Sequence, residues 1–349
     1  MPSLSNLERM LKVINRKEPD TIPTFELDID KRVINAIKPG ASYEDFCEYM
    51  DLDAVCYHEL RSDQFQVIDE AKGIVRDQWG AIGRFTSASS WVPMIMEPAI
   101  KSEEDLDSYI SPDPNLPARF KTLEEAVKMF KGKRAIIAAV GPFARTRDSL
   151  RGQENLFKDM VRNTEMVDRL NDIANDYYMR YVKNLIDVGA DVIFETSDWA
   201  FTHSPMVSPR HTERFITPTL KSIVEYCHSR GIPCLKHTDG NIWLIFDLIV
   251  GTGVDGINPI DPLAGMDLGE VKAKYGDKVC LMGNVDCGNL LSWGSKSEVR
   301  EAVKDCIRKA GKGGGYICMS SNSIHGGVNP DNYVEMIRAI REYGKYPLG

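Results

Sequence analysis

No window of this 349-residue chain approaches the roughly 18 uninterrupted apolar residues of a membrane-spanning helix, so no membrane span is expected. A cationic excess is lacking too. Against 51 Asp and Glu stand 43 Lys and Arg, a net charge of −8, and no stretch clusters Lys and Arg with aromatics. An acidic chain repels phosphate backbones, which argues against nucleic acid as a partner. The eight cysteines (Cys47, Cys56, Cys227, Cys234, Cys280, Cys287, Cys306 and Cys318) contain no CxxC pair and no regular spacing. Scattered thiols in a chain this long read as reduced residues rather than a disulfide framework. The start, MPSLSNLERMLKVINRKEPD, has no basic segment followed by an apolar run, so a secretory leader is not expected. These absences together point to a cytoplasmic protein. There is also no internal repeat, no Ser/Gly linker and no abrupt change of composition. A single domain over residues 1–349 is expected.

What is present is a regular alternation. Ser5 and Glu8 form a capping box, Leu7, Met10, Leu11 and Ile14 make an apolar face, and Pro19 ends that first helix. Eight short apolar runs follow, at 22–27, 54–57, 135–140, 191–194, 233–236, 256–259, 279–282 and 316–319. Helical patterns lie between many of them, at 155–162, 166–188, 212–229, 243–250, 268–275, 296–310 and 330–343. Several runs are continuously apolar, as in Ala135-Ile136-Ile137-Ala138-Ala139-Val140, the mark of parallel strands covered on both faces. Eight strand–helix units predict an α/β fold, a single (β/α)8 TIM barrel with an N-terminal helix. The irregular stretch 63–131 reads as an insertion over the barrel mouth. It holds a β-hairpin at 73–84 and a helix near 122–130.

Function in such a barrel gathers at the C-terminal ends of the strands. Here nearly every strand end carries an acid, an amide or a histidine, a polarity that a purely structural barrel has no need for. His237 and Asp239 stand out: two apart on a strand end, they aim to the same side, and Gly240 follows. Such a pair can ligate zinc or iron, or act as acid and base. Glu195 ends the preceding strand and is the expected third member, for catalysis and for metal. Asp198 and Asn322 complete the expected catalytic set. Glu26, His58, Trp79, Phe143, Trp199, Asn284 and His325 are expected to contact substrate. Tyr57 and Trp91 join the aromatics that could clamp a ring. Plainer readings exist for several neighbours: Asp261 and Asp286 suit turns or helix caps, Cys56 suits the core, and His203 and His211 suit the surface.

Across almost its full length the chain resembles the uroporphyrinogen decarboxylase superfamily, which includes corrinoid-dependent methyltransferases. The segments carrying the likeness are Leu7-Glu8-Arg9-Met10, Pro19-Asp20-Thr21-Ile22-Pro23, Asp77-Gln78-Trp79-Gly80, Gly141-Pro142-Phe143, Ser208-Pro209, Lys236-His237-Thr238-Asp239-Gly240-Asn241, Gly283-Asn284-Val285-Asp286 and Ser320-Ser321-Asn322-Ser323-Ile324-His325. The departures narrow the branch. True decarboxylases carry Arg-Gln-Ala-Gly-Arg after the first strand, where this chain reads Glu26-Leu27-Asp28-Ile29-Asp30. That acidic stretch would repel a tetrapyrrole bearing many carboxylates. The decarboxylases' late histidine falls on Asn322. The superfamily's zinc methyltransferases use His-x-Cys and a later cysteine; here the pair is His237-x-Asp239, and the later position falls near Asn322 or Ser323. A nitrogen and oxygen site, with zinc or without metal, replaces the thiolate site. The resemblance implies the methyltransferase component of an O-demethylase system. It would move a methyl group from a small-molecule methyl ether to cobalamin carried on a separate corrinoid protein. A homodimer is compatible with this reading. The alternative is a lyase that decarboxylates a small acid or a tetrapyrrole, with Arg145 and Arg147 holding the carboxylate.

Overall fold

The structure is a computed structural model and describes residues 4–59, 65–86 and 92–348. Seven parallel strands form one curled sheet in chain order: β1 (Ala54–His58), β6 (Ala135–Val140), β7 (Val192–Glu195), β8 (Cys234–His237), β9 (Gly256–Asn258), β10 (Cys280–Val285) and β11 (Tyr316–Ser320). Helices including Thr164–Val188, Thr217–Ser229, Leu268–Tyr275, Lys296–Ala310 and Pro330–Tyr343 flank it, giving a TIM-barrel-like α/β fold. Ser5 caps the first helix, Asn6–Ile14, in a capping box with Glu8.

The expected eighth strand, 22–27, forms no ladder. It runs extended between β11 and β1. Thr24 bridges Cys318 in parallel, and the Asp53 N–H donates to the Thr24 carbonyl at 2.8 Å. Two features explain the missing ladder. Pro23 has no N–H to give. The Ser320 N–H is taken at 3.2 Å by the side chain of Glu26 instead of by a backbone carbonyl.

Alternate residues of each strand converge inside the barrel. Phe25, Leu27, Ala54, Cys56, Ile137, Ala139, Val192, Phe194, Leu235, Cys280, Met282, Ile317 and Met319 form one buried cluster, joined by Met10, Val13 and Ile14 of the first helix. Every second residue of a strand faces one way. The strand residues in between pack outward under the helices. All eight cysteines are free and buried. No helix of the described residues is long and apolar enough to cross a membrane.

The insertion contains the expected hairpin, β3 (Ile74–Arg76) with β4 (Ile82–Arg84), within a four-stranded antiparallel sheet completed by β2 (Gln66–Asp69) and β5 (Met94–Glu97). A helix, Lys121–Phe130, follows. Backbone N–H groups of Ala99 and Ile100 donate to Ser149 and Leu150, and Ser149 Oγ donates to Asp77 at 2.7 Å. These bonds tie the insertion to the wide turn Arg145–Leu150, which follows β6 at the functional end of the barrel.

Candidate active site

β8 ends in His237, whose side chain continues the inward row begun by Leu235. Asp239 lies two residues on. Its Oδ1 sits 3.6 Å from His237 Nε2, and Asp198 Oδ1 sits at the same distance. The ligand atoms of Asp198, His237 and Asp239 all lie within 4.8 Å of one another. Asn322 donates from Nδ2 to Asp239 Oδ2. The other carboxylate oxygen, Asp239 Oδ1, is buried and accepts no hydrogen bond.

Two loops are stapled together to make this cluster. The Asp239 N–H donates to Asp198 Oδ1 at 3.0 Å, and the Trp199 N–H donates to Thr238 Oγ1 at 2.8 Å. Arg147 donates to the Asp198 carbonyl at 2.9 Å. Gly240 has φ +89°, and a Cβ there would sit 2.5 Å from the Phe201 carbonyl oxygen, so the close approach of the loops requires glycine. Burial pushes the Asp239 carboxyl up to about 7; Asp198 and Asp261 add to the shift, while His237 and the Asn322 hydrogen bond oppose it. His58 ends β1 close enough to feel His237. Burial first, then the neighbouring His237 and the Arg145 guanidinium, hold its imidazole down at about 3, so it stays neutral.

Several expected site residues are placed elsewhere. Glu195 is not a third ligand. It follows the inward Phe194, so it faces outward, where it pairs with the Lys236 ammonium and accepts the Ser197 N–H at 2.9 Å. Asp198 takes its place in the cluster. Glu26 lies between inward Phe25 and Leu27 and therefore also faces outward. It is buried against Ser320, and burial pushes its carboxyl up to about 8. It touches no part of the His237 cluster by hydrogen bond. Trp79 is packed against Tyr177 and Tyr178, with centroids at 4.6 and 6.1 Å, and so belongs to the core beneath the insertion. Trp199 lies under the Lys236 ammonium, 4.2 Å from the ring centroid, and Phe143 under the Arg147 guanidinium at 5.8 Å. Both rings are buried and already faced by cations of the chain itself. Asn284 donates to the Ile260 carbonyl at 2.8 Å and meets Cys306 of the helix layer, away from His237. His325 braces the loop after β11 against the loop after β10, with ring nitrogens against the Gly327 N–H and the Cys287 carbonyl. Tyr57 donates to Glu44 at 3.1 Å and is no clamp. Trp91 lies outside the described residues.

One residue was passed over in the sequence: Asn258, the last residue of β9. It pairs in register with His237 and is fully buried, with Oδ1 at 2.6 Å from His237 Nδ1. The usable signal was that both residues end neighbouring strands.

The donor set fits a divalent cation. It offers one imidazole nitrogen and two carboxylates, and a buried carboxylate oxygen that accepts no hydrogen bond. Fold and cluster define a TIM-barrel-like enzyme with its polar centre at the strand ends. The chain matches the Uroporphyrinogen decarboxylase (URO-D) family over residues 80–343 and belongs to that family. A uroporphyrinogen decarboxylase of Trichodesmium erythraeum is 26% identical over 230 residues, 63% of this chain and 62% of that protein. One from Psychromonas ingrahamii is 24% identical over 259 residues, 72% of this chain and 71% of that protein. The chain thus aligns with less than two thirds of the Trichodesmium protein. A methyltransferase from Methanosarcina mazei shares the fold with a TM-score of 0.77 at 17% identity, covering 98% of this chain and 99% of that one.

Proposed function

We propose that this chain is a methyltransferase that moves the methyl group of a methyl ether, an aryl ether above all, to the cob(I)alamin of a separate corrinoid protein. The observation that carries the reading is the Asp198–His237–Asp239 cluster, in which the buried Asp239 Oδ1 accepts no hydrogen bond. In the reaction the carbon–oxygen bond breaks and the methyl carbon bonds to cobalt through the electron pair of cob(I)alamin. The aryloxide leaves with its own bonding pair and takes up a proton. Aryloxide is a poor leaving group, so catalysis must stabilise that oxygen. A zinc ion held by Asp198, His237 and Asp239 would supply Lewis-acid stabilisation there. Without metal, the raised Asp239 carboxyl holds a proton near neutral pH and suits general-acid work at the same oxygen. His58, kept neutral beside the cluster, faces the same space without adding charge.

The names of the curated relatives favour a decarboxylase as the second reading. That chemistry needs cations for substrate carboxylates, and the two arginines expected to serve are committed. Arg145 pairs with Glu59 at 3.0 Å, and Arg147 pairs with both oxygens of Asp148 at 2.7 Å. Incubation with reduced corrinoid protein and a panel of methyl ethers tests the first reading. Methylcobalamin should form with one of them and vanish in His237→Ala. No methylcobalamin from any donor, with carbon dioxide released from an acid and lost in Arg145→Ala, establishes the second. Elemental analysis of protein purified without chelator decides between metal and proton: about one zinc per chain, absent from His237→Ala, selects the metal.

A further inference from the structure

We propose that Asn258 sets the tautomer of His237: its carboxamide oxygen takes the Nδ1 proton and leaves the Nε2 lone pair facing Asp198 and Asp239. The inference rests on the reading above only in taking that cluster as the reactive centre.

The geometry distinguishes the two ring nitrogens. Nδ1 lies 2.6 Å from Asn258 Oδ1, a full hydrogen bond. Nε2 lies 3.6 Å from each carboxylate, beyond hydrogen-bond length, so it donates to neither. An amide oxygen only accepts, so the 2.6 Å contact requires the proton on Nδ1. The orientation of the carboxamide is held from its other end. Asn258 Nδ2 lies 3.4 Å from Met319 Sδ, and a thioether sulfur only accepts. Turning the amide over would set its oxygen against that sulfur, two acceptors facing each other, so the orientation with the oxygen toward Nδ1 is the one both ends support. Asn258 is itself fixed, fully buried and paired in register with His237, with its carbonyl accepting the Thr238 N–H at 2.9 Å. Of the two ring nitrogens only Nε2 faces the carboxylates, so His237 can bind a cation or take a proton at the cluster only through a lone pair there. A ring orienter of this kind fixes which nitrogen does so. Asn258 is therefore a positioning residue, acting through His237.

The test begins with metal-free, 15N-histidine-labelled full-length protein. Long-range 1H–15N correlation reads the tautomer of His237, whose signals are identified by their loss in His237→Gln. The expected pattern is protonated Nδ1 and bare Nε2. Asn258→Asp, which keeps an acceptor, should preserve that pattern; Asn258→Leu should lose it. Zinc affinity measured by chelator competition should fall roughly 10–100-fold in Asn258→Leu and be restored in Asn258→Asp. If Asn258→Leu does not fold, the wild-type spectrum alone decides. A wild-type His237 protonated at Nε2, or a tautomer and an affinity unchanged in Asn258→Leu, overturns the proposal. Wild-type protein with the expected tautomer but no zinc affinity overturns the metal reading and leaves the role of Asn258 standing.

Discussion

Replacing Lys236 by methionine should cost far more than the loss of one contact. Lys236 and Glu195 are 0% and 1% exposed, and they meet as a closed pair behind β7 and β8. The ammonium also donates to the Ser197 carbonyl and lies 4.2 Å from the Trp199 ring centroid. Taking two charges out of water is expensive, and only their mutual attraction offsets it. Removing one partner leaves Glu195 buried and uncompensated, a loss of about 3–5 kcal/mol. Folded domains hold about 5–15 kcal/mol in total, so Lys236→Met should lower the guanidinium midpoint markedly. The double variant Lys236→Met with Glu195→Leu removes both charges, and it should recover most of that loss. A Lys236→Met cost below about 1 kcal/mol, or a double variant no more stable than the single one, would refute the account of this pair.

Zinc titration separates Glu195 from Asp198: on the metal reading proposed above, Glu195→Gln should bind zinc as wild type does, and Asp198→Asn should not. Equal loss in both would return Glu195 to the ligand set. Asp239 makes a pH prediction for the metal-free protein. Its folded value of about 7 lies above the ordinary 3.8. Below about 4 both states hold the proton; from there to about 7 the unfolded chain ionises and the folded one does not, so stability falls as pH rises and then levels. Asp239→Asn should flatten that slope, and parallel pH profiles of the unfolding midpoint for wild type and variant would contradict it. Trp79→Ala should cost about 3–5 kcal/mol of stability, as for a large core aromatic, with KM for the methyl donor unchanged in the folded fraction. A raised KM at near-normal stability would put Trp79 back at the substrate.

The fold was legible where local signals agree. Capping box, helix ends and seven of the eight strands follow from periodicity and turn residues. The segment 22–27 looked like a strand because its apolar content is that of one. Its failure to form a ladder comes from Pro23 and from a side chain that takes a backbone donor. Neither effect is visible as periodicity. The four-stranded insertion was half legible: the hairpin turn announces itself, whereas the outer strands, Gln66–Asp69 and Met94–Glu97, are largely exposed and have no buried face to set a pattern.

The site was legible in proportion to how strictly strand alternation was applied. His237 and Asp239 were paired by their spacing of two, and both meet in the cluster. The same alternation, started from Phe194 or from Phe25 and Leu27, turns Glu195 and Glu26 away from the barrel axis. Continuously apolar strands hide this parity, because both faces are buried and neither looks polar. Leu235 inward, Lys236 outward and His237 inward makes the point within three residues. The outward lysine needs an outward acid, and Glu195 stands beside it in register. Asp198 becomes free to reach His237 because that pair and Arg147 hold the loop after β7 in place. A carboxylate at a strand end is thus a candidate for chemistry only when its parity points inward or when, like Asp198, it lies past the strand in a loop anchored from behind.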